Sequence, residues 1–114
     1  MYDIITKTND ISNNTLFFEI ENKGICNFNK FLELVTTTYE INLEDKVKII
    51  EVYNLSWRMM YFFSNFNFDI INSPFKTDKM TMAFSFIGLV NNLLVNSDYK
   101  NSYTIQKFIL QLEN

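Results

Sequence analysis

Apolar residues recur along this chain mostly at steps of three and four, with few polar breaks between the runs. In "NFNKFLELVTTTYE", Phe28, Phe31, Leu32, Val35 and Tyr39 share one face of a helix. Three successive threonines, Thr36 to Thr38, are β-branched and stiff at χ1, so a weak last turn is expected. In "NLEDKVKIIEVYNLSWRMMYFF", Asn42 and Asp45 have capping-box spacing, and Glu44 with Asp45 suits the positive end of a helix dipole. Glu44, Lys48 and Glu51 then form a polar stripe, continued by Asn54 or Leu55 and by Arg58. Val47, Ile50 and Trp57 lie on another face. Tyr53, Trp57 and Tyr61 recur at steps of four, and aromatics at helical spacing usually belong to a core. The "MMYFF" after Arg58 is apolar all round and must be covered.

The strongest apolar run is "MTMAFSFIGLVNNLLV". Asp78 or Thr77 caps a helix expected to reach about Asn96. Its sixteen apolar-rich residues, 80 to 95, fall short of the ~20 that span a bilayer. Asp78, Thr81, Ser85, Gly88, Asn92 and Asn96 form one narrow stripe of small and polar residues, and nearly everything else is apolar. Such a helix is expected at the centre of a bundle, buried on nearly all sides. The stripe is then either a thin solvent window or a close crossing at Ser85 and Gly88.

Other segments read less uniformly. "TLFFEIENKGI" suits a helix over about 14–23, capped from Ser12, with Gly24 in the left-handed C′ position and Ile25 against Ile20. The alternative is that the N-terminal ~25 residues form a short β-hairpin, pairing this segment with "YDIIT". "SNFNFDIINSPFKT" breaks the helical pattern as a loop of about twelve residues, rich in Phe and Ile, with Pro74 restricting Ser73. "NSYTIQKFILQLEN" places Ile105, Phe108, Ile109 and Leu112 on one face after a Ser102 cap. The expected fold is all-α: one domain over 1–114, a compact bundle of about five helices around the central apolar helix at ~78–96.

Composition sharpens this picture. Two glycines and one proline are too few for a turn-rich β fold. At 47% hydrophobic with twelve Phe, the chain has enough apolar surface to order itself without a staple. Its net charge of −3 and the absence of a basic run argue against nucleic-acid binding. "MYDIITKTND" has no long apolar core and does not read as a signal peptide, and Cys26 is the sole cysteine. A cytoplasmic location away from membranes is therefore expected.

Catalytic chemistry is sparse. With no histidine, His-based acid–base work, His-activated nucleophiles and His metal sites are excluded. Cys26 has no base to activate it, no Gly-rich loop comes after a strand, and neither Glu19/Glu21 nor Glu44/Asp45 makes a convincing catalytic pair. No catalytic residue, metal or cofactor is expected.

By elimination the chain works by binding. The resulting reading is a small acidic inhibitor, an immunity protein or antitoxin that neutralises a basic toxin domain, with carboxylates steering association. Its candidate partner-binding residues are Phe66, Phe68 and Asp69 in the greasy loop, and Glu44, Glu51 and the lone Arg58 on the long helix. The competing structural role for that loop is a lid over "MMYFF". One stretch, "DKMTMAFSFIGLVNNLLVN", is similar to the central helix of poxviral Bcl-2-like proteins, over about a sixth of the chain. That resemblance implies a module that takes an amphipathic partner helix in an apolar groove. A homodimer or other homo-oligomeric interaction protein, joined through the Phe-rich loop, is the third alternative.

Overall fold

A computed structural model describes residues 15–41, 44–95 and 104–113. Within them the chain runs α1 (Leu16–Lys23), β1 (Ile25–Asn27), α2 (Phe28–Tyr39), α3 (Lys46–Asn65), β2 (Asp69–Ile71), α4 (Lys79–Val95) and α5 (Thr104–Glu113). The fold is an all-α bundle, and α4 packs against α2, α3 and α5. Its extents of 36 × 34 × 18 Å make it a flattened body about two helices thick.

α1 ends as the sequence requires. Gly24 takes φ +64°, and its N–H donates to the carbonyl of Glu19. Residues 16–23 are helical, so they form no hairpin strand; "YDIIT" and Ser12 lie outside the described residues. The segment after Gly24 departs from the helical pattern. Ile25, Cys26 and Asn27 pair in parallel with Asp69, Ile70 and Ile71, and Asp69 N–H donates to the Gly24 carbonyl at 2.9 Å. A parallel pair needs a long crossover, which α2 and α3 supply. The pairing folds part of the expected loop into regular structure.

Asn27 caps α2, its side chain accepting from Asn29 N–H at 2.9 Å. Phe28, Phe31 and Val35 are buried as their spacing predicts, while Leu32 and Tyr39 are half-buried and Leu34 and Thr38 complete the inner face. The threonines do not unwind the last turn. Thr37 and Thr38 hydroxyls donate to the carbonyls of Glu33 and Leu34, each at 2.8 Å, and α2 continues to Tyr39.

α3 starts with Asp45 itself as the cap, accepting from Val47 and Lys48 N–H at 2.9 and 3.4 Å. This replaces the expected capping box; Asn42 lies outside the described residues. The inner face of α3 is Val52, Leu55, Met59, Phe62 and Phe63.

Asp78 caps α4, its carboxylate accepting from Thr81 N–H at 2.8 Å. That bond holds the Asp78 carboxyl below its ordinary value. Met82, Ala83, Phe86, Leu89, Val90 and Leu93 are buried, but Phe84, Asn91, Asn92 and Val95 are exposed. The helix is therefore central but not enclosed on nearly all sides. A Cβ built on Gly88 meets nothing within 4 Å, so the small-residue stripe is a solvent window and not a close crossing at Gly88; Asn96 lies outside the described residues. No helix among the described residues is long and apolar enough to cross a membrane.

Phe31 sits at the middle of the core, with its ring centroid 6.0 Å from Phe28, 6.2 Å from Phe63 and 6.0 Å from Phe108. Through Phe108 and Leu112, α5 docks on this cluster, which a ten-residue helix needs for its stability. The Ser102 cap lies outside the described residues.

Candidate protein-docking face

The main departure from the sequence pattern is the rotation of α3. The stripe of Glu51, Asn54, Leu55 and Arg58 turns towards the protein. Asn54 and Leu55 are buried, and the Arg58 guanidinium lies 4.6 Å from the Phe17 ring centroid and 5.6 Å from that of Phe62. Glu51 pairs with Lys48 at 3.4 Å along the flank of the helix. The aromatic stripe expected in the core turns outward instead. Val47, Ile50, Tyr53, Trp57 and Tyr61 are each between 53% and 63% exposed.

The physical reason is a competition between two apolar stripes on one helix. Val52, Leu55, Met59, Phe62 and Phe63 have no polar tips, so burial leaves no donor or acceptor stranded. Tyr53, Trp57 and Tyr61 each carry a polar tip that needs a partner when buried. Facing outward keeps those tips in water. Arg58 can turn inward because its planar guanidinium stacks on rings and its stem is apolar.

The exposed stripe runs roughly 21 Å along α3 at the helical rise. Beside it lies a groove of about 310 Å³, lined by Tyr53, Ser56, Trp57 and Met60 from α3 and by Ile87, Val90 and Asn91 from α4. Tyr53 and Trp57 meet edge to face at 6.3 Å, forming one wall. Phe84, one turn before Ile87 on α4, is 59% exposed and extends the patch. Together these exposed side chains form a surface of the kind that marks an interaction site.

Of the residues singled out from sequence, Phe66 and Phe68 are half-buried against the core. Phe66 stacks on Phe62 at 5.1 Å, and Phe68 meets Phe63 edge-on at 5.1 Å. Lys79 ties them down, donating to the Phe66 carbonyl at 3.0 Å with its ammonium 5.4 Å from the Phe68 ring. The loop therefore covers "MMYFF" as a lid. Asp69 is exposed within β2, and Glu44 is exposed just ahead of α3, roughly 30 Å away along the helix. The six residues do not gather into one patch.

Sequence reasoning misses the outward face of α3 and its partners on α4. The signal is present in the residue types: all three members of the aromatic stripe bear a polar atom, and a tipless stripe competes with it on the same helix.

Two other charged or reactive features have structural explanations. Glu19 is held below the usual carboxylate range by the Lys30 hydrogen bond at 2.6 Å, with Lys23 adding to the effect. Burial, and secondarily the charge of Glu19, pushes the Cys26 thiol up to about 12, so it is no nucleophile near neutrality. No family model, curated protein or solved structure matches this chain.

Proposed function

We propose that this protein acts by binding another protein, as a small acidic inhibitor of the immunity-protein or antitoxin kind, with the α3/α4 face as its docking surface. The observation that carries this reading is the exposed stripe of Val47, Ile50, Tyr53, Trp57 and Tyr61. Tyr and Trp dominate binding hot spots because they give large contact area and a polar tip. The N-terminal end of the stripe is bordered by the exposed carboxylates of Glu44 and Asp45, which suit a basic partner. Net charge of −3 favours steered approach to such a partner.

The test is co-purification from the source cell at low and high salt, using the wild type and Trp57→Ala as baits. A basic protein held by the wild type, weakened by salt and lost from Trp57→Ala is the expected result. Retention that is indifferent to Trp57, or no basic protein at low salt, contradicts the reading. The groove between α3 and α4 also favours a second reading, in which the partner presents an amphipathic helix. Titration with such a peptide would then shift the fluorescence of Trp57.

A further inference from the structure

We propose that the groove between α3 and α4 binds an uncharged heteroaromatic ring of the nucleoside kind, held against Tyr53 and Trp57 and read along one edge by Asn91. The proposal goes beyond the protein-docking reading and does not rest on it.

The lining sets the charge of the ligand. No Asp, Glu, Lys or Arg stands among the lining residues. A charged group entering there would give up hydration with no counter-charge in return. With no cation to meet a phosphate, the class is a base or nucleoside and not a nucleotide.

The walls set its shape. The Tyr53 and Trp57 rings stand at 71° to each other with centroids 6.3 Å apart, and each is more than half exposed. A flat ring in that corner stacks on one and meets the other edge-on, the two arrangements that aromatic pairs prefer. Ile87 and Val90 add aliphatic contact from α4, and the Met60 sulfur is held by the Ser64 hydroxyl at 3.3 Å. A volume of about 310 Å³ lies at the small end of the range for small-molecule sites.

Asn91 sets the edge. Asn22, Asn65 and Asn92 each donate a side-chain N–H to the carbonyl four residues back, at 3.0, 2.8 and 2.9 Å. Asn91 makes no such bond, and its amide has no partner among the described residues. Ser56 instead turns to its own helix, donating to the Val52 carbonyl at 3.3 Å. The Asn91 amide thus offers the groove an acceptor and a donor side by side. That pattern pairs with the amino group and neighbouring ring nitrogen of an aminopurine.

The experiment is a titration of the full chain with adenosine, followed by emission from Trp57, the sole tryptophan. At a typical ligand efficiency, ~20 heavy atoms give saturable quenching with a dissociation constant on the order of 0.1 mM. Asn91→Ala, at an exposed position, should weaken binding at least ~fivefold while far-UV circular dichroism stays unchanged. The dimethylamino analogue of adenosine, which keeps the ring but lacks the amino hydrogens, should bind correspondingly less well. Adenosine monophosphate should also bind more weakly than adenosine. Quenching that stays linear to ~5 mM overturns the site. Full affinity in Asn91→Ala overturns the edge reading, and a monophosphate that binds as tightly as adenosine overturns the uncharged class. A chain that takes no adenosine, yet loses a basic partner on Trp57→Ala, overturns this site and leaves the docking reading standing.

Discussion

The chain contains only two glycines, and alanine at each should change stability in opposite directions. Gly24 sits at φ +64°, and a Cβ there would come no nearer than 3.8 Å to the Asn67 carbonyl oxygen. Space is therefore not the obstacle; the left-handed backbone is. An L-residue in that region costs roughly 1–2 kcal/mol. Gly88 lies inside α4, has no such φ, and its added Cβ would meet nothing within 4 Å. Alanine there should gain about 0.8–1.0 kcal/mol of helix propensity with no clash to offset it. For a domain of this length, 1 kcal/mol moves Tm by about 4 °C. Thermal melts followed at 222 nm should therefore show Gly24→Ala falling by ~4–8 °C and Gly88→Ala rising by about 4 °C. The two share no neighbour, so the double variant should show the sum of the two shifts. A lower Tm for Gly88→Ala would mean that another backbone approaches α4 there, and the solvent-window assignment would fail. An unchanged Tm for Gly24→Ala would remove the left-handed end of α1.

Phe31→Ala deletes the ring shared by Phe28, Phe63 and Phe108, and should cost about 3–5 kcal/mol in urea denaturation, a large share of the fold's stability. A loss below ~1 kcal/mol would show that this ring is not central. Glu19→Gln should be less stable than the wild type at neutral pH, because the lowered carboxyl contributes stability above its unfolded value. That difference should vanish as pH falls through the folded value; a gap that persists in acid would assign it to packing. Cys26 should react with a thiol reagent at pH 8 only when denaturant is added, given a thiol pushed up to about 12 and fully buried. Rapid labelling of the native protein would contradict its burial.

Local chemistry makes several features legible in the residue order. The Gly24 stop, the Asp78 cap and the inward Phe28, Phe31 and Val35 all depend on neighbours within one or two helical turns. The same holds for α5, where Phe108 and Leu112 face the core. The β1/β2 pair is not legible because its strands are three residues each and more than forty positions apart in the chain. Three residues are too few to show an alternation, and their pairing is set by how the intervening helices return.

The docking face marks the boundary between the two kinds of information. Residue order alone determined an all-α chain, the Gly24 stop and the Asp78 cap, its acidity and its lack of histidine chemistry. It also determined that α3 would carry two apolar stripes. The polar tips of Tyr53, Trp57 and Tyr61 favoured the tipless stripe for the interior, and assembly fixed the rotation, when α1 brought Phe17 under Arg58 and the 66–78 segment brought Phe66 and Phe68 over Phe62 and Phe63. A helix's rotation about its axis is a sum over contacts with every neighbour, and no window along one helix contains that sum. The surviving outward stripe, with Trp57 at its middle, is therefore a property of the tertiary structure.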